Sequence, residues 1–201
     1  MKETEEPSDE DLLARSRGGD EEAFTRLYRR RQGPLFRFAL RMSGSSAVAE
    51  DVVQETFMVL IHDPARFDPG MGSLAGYLFG IARNRVRRHL ERRSHDVPLP
   101  DGEDAASTSG QDGKPQADLE RREAVAALRE AVLALPEAYR EVVVLVELEE
   151  LSYADAALAL GCAVGTVRSR LFRARRILAS RLGGTVTAPA GTRRGAEGRY
   201  A

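Results

Sequence analysis

The polar segment 94–118 constrains the fold most, because it divides the chain into two parts. It holds three prolines, three glycines and six acidic residues. So few apolar side chains cannot bury enough surface to offset the entropy of ordering the segment. On either side, apolar residues recur at helical spacing, and no alternation typical of a sheet is visible. The sequence therefore predicts an all-α protein with two small helical domains, 10–93 and 119–182, a flexible acidic linker at 94–118, and a disordered tail at 183–201.

Capping and turn residues place the helices of the first domain. Ser8 or Asp11 is expected to cap the first helix, Gly18–Gly19 to interrupt it, and Gly33–Pro34 to separate it from a helix over 35–42. Two more helices are predicted, over 47–62 and over 74–92, with Ser73 as the cap of the second.

Composition excludes several classes of protein. The 201 residues carry 30 Lys+Arg against 31 Asp+Glu, yet only Lys2 and Lys114 are lysine, so the cationic chemistry is that of guanidinium groups, which suit phosphates and base edges. With Cys162 as the single cysteine, neither a disulfide framework nor a Cys-rich zinc site is possible. The absence of a long apolar run and the acidic start predict a cytoplasmic protein without membrane insertion, and no cofactor is expected.

Residues 152–182 have the pattern of a helix-turn-helix. Ser152 can cap a short helix of small apolar residues that ends at Gly161. The next helix, starting near Gly165, carries one apolar stripe at Val167, Leu171, Ala174 and Leu178. Six arginines and no acidic residue fill the rest of 165–182. The preceding β-prone run 142–146 lies in a helical frame and is predicted to be helix.

The arginine-rich helix fits the major groove of DNA. Its first turn, Thr166, Arg168, Ser169 and Arg170, would face base edges, while Arg173 and Arg176 would more often meet phosphates. The alternative is a solvated basic helix on a helical bundle.

A second basic helix, 73–93, carries arginines interleaved with Tyr77 and Asn84, and Phe67 precedes it. Stacking surface, positive charge and an amide together suit single-stranded DNA. The alternative makes Tyr77 and Phe67 ordinary core residues.

The helix at 47–61 presents an outer stripe of acid, amide and thioether: Asp51, Gln54, Glu55 and Met58. This stripe suggests a docking surface for a basic helix. The alternative is a solvated helix face, and no histidine shares the stripe to favour a metal site.

Five features occur along the chain in this order: DVVQETF, IARNRVRRH, an acidic linker, LPEAYREVVVL and SYADAALALGCAVGTVRSRLFRARRIL. Together they resemble a bacterial RNA polymerase sigma factor of the extracytoplasmic-function (ECF) group. The resemblance covers roughly residues 10–93 and 119–182. Tyr77 stands where the family often has Trp.

The resemblance implies roles for the residues at matching positions. Asp51, Gln54 and Glu55 would dock on the beta-prime clamp helices of core RNA polymerase, whose beta subunit is a further expected partner. The remaining residues would bind promoter DNA. Phe67 and Asn84 would hold a flipped minus-ten base, and Arg83, Arg87 and Arg88 would contact the melted strand. The minus-thirty-five element would be read by Thr166, Arg168, Ser169, Arg170 and Arg173. An anti-sigma factor is another expected partner.

The expected function is therefore promoter-specific initiation without covalent chemistry. A plain helix-turn-helix regulator with a sensing or dimerising N-terminal domain is the main alternative. An enzyme is disfavoured, since the three histidines form no catalytic spacing and no nucleotide-binding loop of the GxxxxGK[ST] type occurs.

Overall fold

The structure, a computed structural model, describes residues 6–63, 66–95 and 115–183. All regular structure in these ranges is helical, which confirms the all-α prediction. None of the helices described there combines the length and apolar character needed to span a bilayer. The helices are α1 (Asp9–Arg17), α2 (Glu21–Ser43), α3 (Ser46–His62), α4 (Leu74–His95), α5 (Pro115–Leu133), α6 (Glu137–Val143), α7 (Tyr153–Leu160) and α8 (Val164–Arg181). A 3-10 turn at Pro69–Met71 and a π-helical segment at Val144–Leu148 complete the elements.

Helix α2 corrects the predicted break at Gly33–Pro34, because it runs without interruption through both residues. Proline in a helix interior removes one backbone hydrogen bond and crowds the preceding turn. Here Leu27, Leu35 and Phe38 are fully buried on both sides of Pro34. Burial of this continuous apolar face offsets the local free-energy cost of the proline. Turn signals in the sequence do not report this burial, so they could not predict the continuous helix.

Side-chain caps fix the helix starts largely as predicted. Ser8 and Asp11 form a reciprocal capping box at the start of α1. Ser73 accepts a hydrogen bond from the Gly76 backbone at 3.0 Å, which confirms it as the cap of α4. Glu10 also accepts from the Leu74 backbone at 2.8 Å, so α1 fixes the start of α4.

The two halves of the chain share one continuous core. Helices α1 to α4 bury residues such as Phe38 and Phe79, whose rings meet edge to face with centroids 5.5 Å apart. Helices α5 to α8 bury Leu145 and Leu171. Because α4 packs directly on α7, the two sets of buried side chains join.

The ends of the predicted linker are helical. Helix α4 continues to His95 and α5 begins at Pro115, so both reach into the segment 94–118. The rest of that segment and the predicted tail from 184 onward lie outside the described residues. The segment 142–146 is helical as predicted. Its first two residues end α6 at Val143, and a π-helical segment begins at Val144.

Candidate nucleic-acid interface

The α7–α8 pair has the predicted helix-turn-helix geometry. Ser152 accepts a hydrogen bond from the Asp155 backbone at 3.0 Å and so caps α7. Gly161 ends α7 with φ 62°, a left-handed conformation that favours glycine. The Cys162 backbone then donates to the Ala157 carbonyl at 3.0 Å, and α8 begins at Val164.

One side of α8 is buried and the other carries the predicted DNA contacts. Val167, Leu171 and Ala174 are buried, and Leu178 packs at the edge of the core. Their burial turns the arginine-rich side away from the protein. Arg168, Ser169, Arg173 and Arg176 are exposed, whereas Thr166 and Arg170 are half-buried.

Arg168 is held by an aromatic neighbour on α7. Its guanidinium carbon lies 5.6 Å from the centroid of the Tyr153 ring. A cation–π contact of this kind restricts the side chain while leaving its N–H groups free to donate. Tyr153 therefore orients one of the predicted base-reading residues.

Phe172 is a functional candidate that the sequence analysis missed. Phe172 is 59% exposed, well above Tyr153 and Tyr28, the other exposed aromatic residues in the described part of the chain. It follows Arg168 and precedes Arg176 by four positions each, so the three share one face of α8. The sequence did carry a signal for this: position 172 lies off the apolar stripe of the helix, which predicts an exposed aromatic side chain.

The predicted strand-binding residues of α4 differ in accessibility. Asn84, Arg87 and Arg88 are exposed. Arg83 is mostly buried, and its guanidinium pairs with the Glu141 carboxylate of α6, with the Nη2–Oε2 hydrogen bond at 3.3 Å. Helix α6, from the C-terminal half of the chain, therefore contacts this arginine of α4.

Phe67 and Tyr77 lie together at the start of α4. Phe67 is buried, and its ring centroid is 5.5 Å from that of Tyr77. Tyr77 is half-buried, and burial raises the pKa of its phenol above the ordinary value against an opposing effect of Arg66. Of the two rings, only Tyr77 presents surface to solvent here.

The outer stripe of α3 is accessible as predicted. Asp51, Gln54 and Met58 are exposed. Glu55 is half-buried and lies 3.3 Å from the Arg85 guanidinium of α4 and 3.4 Å from the imidazole of His89. These four α3 residues line a groove of about 650 Å³ between α3 and α4.

A second, more apolar groove adjoins the stripe on its other side. It has a volume of about 720 Å³ between α2 and α3. Tyr28 packs on Phe57 at 4.7 Å between centroids, and Ile61 is 52% exposed nearby. The sequence analysis missed this groove, because residues from two helices form it.

Among the described residues, no group of histidine, cysteine and acidic side chains is arranged to hold a metal ion.

Two family models match the chain. Sigma-70 region 2 matches residues 27–95, and the Sigma-70 region 4 model matches residues 126–178. The chain is 40% identical over 145 residues to the ECF RNA polymerase sigma factor EcfG of Rhodopseudomonas palustris, a match that covers 72% of this chain and 77% of that protein. It is 34% identical over 174 residues to the RNA polymerase sigma-H factor of Pseudomonas aeruginosa, covering 83% and 90% of the two chains.

Two solved structures are similar in fold. CnrH, solved in complex with the cytosolic domain of CnrY, superposes with a TM-score of 0.66 at 28% identity and covers 88% of this chain and 98% of that one. The sigma factor RpoE of Bartonella quintana, solved with the anti-sigma factor NepR, gives 0.64 at 29% identity, covering 80% and 96%.

The region 2 match also decides between the two readings of the N-terminal half. A plain helix-turn-helix regulator would not need that region, whereas a sigma factor does. Sigma factors act in transcription as non-enzymatic regulators, with RNA polymerase and promoter DNA as partners. The chain belongs to the ECF sigma factors, which direct transcription initiation with core RNA polymerase.

Proposed function

We propose that this sigma factor reads the minus-thirty-five element as duplex through α8 and captures unpaired minus-ten bases with α4. The observation that carries the proposal is the exposed face of α8, where Arg168, Ser169, Phe172 and Arg176 are exposed on the side opposite the buried residues Val167, Leu171 and Ala174. A helix with this division enters the major groove with its polar face toward the bases. It would act in the cytoplasm, where it would meet polymerase and chromosomal DNA.

Residues on α8 divide between base reading and positioning. Arg168 and Arg170 can donate two hydrogen bonds to a guanine, and Thr166 and Ser169 can bond either strand's bases. Phe172 offers an apolar surface for a thymine methyl group. Arg173 and Arg176 meet phosphates, which fix the register of the helix without reading sequence.

Capture of unpaired bases gives the free energy for local opening. Separating stacked base pairs costs on the order of 1.4 kcal/mol per step. A base stacked or held in a protein pocket returns about 1–3 kcal/mol. Tyr77 and Asn84 would hold the bases, with the buried Phe67 packed against Tyr77, while Arg83, Arg87 and Arg88 follow the backbone. Capture of a few bases is then enough to favour melting.

The α3 stripe, Asp51, Gln54, Glu55 and Met58, is proposed to dock on the clamp helices of the beta-prime subunit, with a further contact to the beta subunit. Acidic and amide groups beside an exposed thioether suit a basic amphipathic helix. The neighbouring groove at Tyr28 and Ile61 supports this role by extending the apolar part of the surface.

An anti-sigma factor is proposed as a further partner. The similar sigma factor RpoE of Bartonella quintana was solved in complex with the anti-sigma factor NepR.

Runoff transcription with purified core polymerase and genomic templates tests the proposal. The wild-type chain is expected to give discrete start sites. Asp51→Arg should abolish capture of core enzyme in a pull-down, whereas Glu130→Arg, a charge reversal on the exposed side of α5, should not. Failure of the wild type to produce any start site would refute the proposed function.

A further inference from the structure

The loop over residues 66–73, which we name the capture loop, leads into α4 and has little regular structure of its own. Its regular part is the 3-10 turn at Pro69–Met71. Phe67 is its one buried residue, and Met71 is 72% exposed. A segment with so few buried contacts holds one shape only when other elements fix its ends.

Helix α1 holds both ends of the capture loop. The Nη2 atom of Arg17 donates a hydrogen bond to the Phe67 carbonyl oxygen at 3.3 Å. The Glu10 carboxylate accepts one from the Leu74 backbone N–H at 2.8 Å. Hydrogen bonds that involve a charged group are stronger than those between neutral groups. These two contacts are therefore suited to fix a loop that has few contacts of its own.

The spacing of the two side chains on α1 matches the spacing of the two residues that they hold. Arg17 follows Glu10 by seven positions, so both lie on one face of α1, about 10 Å apart along its axis. Leu74 also follows Phe67 by seven positions. A helix keeps its length, whereas a loop can change the distance between its ends. Helix α1 therefore fixes the span of the capture loop.

Helix α1 is anchored on α2 by contacts that do not involve the loop. Asp9, whose side chain is 4% exposed, pairs with Arg30 at 2.9 Å and with Arg31. Leu12 and Leu13, on the same helix, are buried in the core. Because these contacts fix α1 by themselves, the loop takes its position from α1 rather than the reverse.

The two anchored positions lie beside the aromatic pair at which an unpaired base is proposed to stack. The Phe67 ring lies 5.5 Å from the Tyr77 ring, and the carbonyl of Phe67 is held by Arg17. Leu74, held by Glu10, begins α4 and precedes Tyr77 by three positions, less than one helical turn. A shift of either end would therefore move the two rings relative to each other. A binding site loses selectivity when its supporting residues let it move by about 1 Å.

We propose that Glu10 and Arg17 are positioning residues that hold the capture loop in the shape that selects the unpaired minus-ten base. The inference rests on the proposed function and deepens it. Each side chain acts through the backbone of the loop and not through contact with DNA. Holding the loop in its binding shape lowers the ordering cost of capture and restricts which base fits. Loss of either residue then reduces selectivity among bases, and not only the total amount of transcript.

The test variants are Glu10→Ala and Arg17→Ala in the full chain. Arg15→Ala is the matched control for Arg17→Ala, because exposed Arg15 lies on the same helix and pairs with Asp20. Glu22→Ala, at an exposed position in the first turn of α2, is the matched control for Glu10→Ala. Glu10→Gln keeps a side-chain oxygen that can accept the same hydrogen bond, so it should behave as the wild type does.

The first readout needs neither DNA nor polymerase. Hydrogen exchange followed by mass spectrometry reports the opening of the backbone over residues 66–78. Exchange there should be about tenfold faster in Glu10→Ala and in Arg17→Ala than in the wild type, because each variant loses a hydrogen bond to a charged group. The two controls and Glu10→Gln should exchange as the wild type does. Unchanged exchange in both test variants, with circular dichroism also unchanged, would overturn the inference.

The second readout is runoff transcription by the holoenzyme from a mapped promoter and from templates that carry each single-base change in its two elements. Selectivity at a position is the ratio of transcript from the preferred base to transcript from the least preferred base. Both test variants should lower this ratio about fivefold within the minus-ten element and leave it unchanged at every minus-thirty-five position. A purely structural role would instead lower the transcript from all templates in proportion and leave every ratio unchanged.

The two readouts together separate failure of the inference from failure of the proposed function. Unchanged ratios alongside faster exchange would overturn the positioning role and leave the proposed function standing. A wild-type holoenzyme that gives no start site would refute the proposed function and the inference with it. If Glu10→Ala does not fold, Arg17→Ala carries both readouts, since Arg17 is exposed and its truncation leaves the buried residues of α1 in place.

Discussion

The ion pair between Arg83 and Glu141 makes a quantitative prediction about stability. Glu141→Ala removes one partner from a pair in which Glu141 is 2% exposed and the Arg83 side chain 19% exposed. Breaking a buried pair costs about 3–5 kcal/mol, because the remaining charge is left without a partner. Since Arg83 keeps some contact with solvent, we expect a smaller loss than this, about 2–3 kcal/mol in the free energy of unfolding.

Urea denaturation followed by circular dichroism measures this loss. With slopes of about 1–3 kcal/mol per molar urea for domains of this size, the midpoint should fall by about 1 M. The control is Glu147→Ala, which removes the partner of Arg175 from a pair in which both side chains are more than a third exposed. Exposed pairs contribute about 0.2–1 kcal/mol, so this midpoint should move little.

A double substitution separates the two possible causes of the loss. Arg83→Met with Glu141→Leu replaces the pair by apolar side chains, an exchange that is often neutral for buried pairs. We expect the double variant to recover most of the stability that Glu141→Ala loses. Equal losses for Glu141→Ala and Glu147→Ala, or no recovery in the double variant, would refute the argument from burial.

Four further predictions follow from individual contacts. Arg168→Ala should weaken minus-thirty-five duplex binding by about 1–3 kcal/mol, because a base contact is lost. Ser152→Ala should lower the free energy of unfolding by about 1 kcal/mol, because α7 loses its cap. Pro34→Ala should raise that free energy by about 1 kcal/mol, since a backbone donor returns to the interior of α2. Burial raises the pKa of Glu149 above its ordinary value despite the two paired arginines. The folded state therefore takes up a proton first as the pH falls, so wild type should gain stability relative to Glu149→Gln through the folded pKa and level off below about 4.5.

Each of these has a control or a contradicting result. Arg175→Ala, on the same helix as Arg168 but paired with Glu147, should leave duplex affinity nearly unchanged. For Ser152 and Pro34, thermal unfolding with an unchanged midpoint would contradict the assigned contact. A stability difference between wild type and Glu149→Gln that stays constant between pH 7 and pH 4 would contradict the effect of burial on Glu149.

Local sequence signals predicted the helix-turn-helix closely. The cap at Ser152, the left-handed Gly161 and the stripe of Val167, Leu171 and Ala174 are short-range features, and each is found in the structure. The exposed arginines of α8 follow from that stripe, because burying one side of a helix exposes the other. Phe172 could have been found by the same reasoning.

Predictions that depended on packing between distant segments were incomplete. The break at Gly33–Pro34 was wrong, because the burial of Leu27, Leu35 and Phe38 sustains α2 through the proline. The groove beside Met58 was missed, since its apolar wall comes from α2. No periodicity within either helix could indicate that they combine.

The sequence by itself determined the helices, their caps and the charge that each face carries, because these depend on neighbours within a turn or two. Only the tertiary structure decided which arginines are free. Arg83 and Arg176 look alike in the sequence, yet one is paired with Glu141 from 58 residues away and the other is exposed. The reason is that the interaction between two charges depends on the distance between them and on their burial. Both are set by how α4, α6 and α7 pack rather than by the order of residues along the chain.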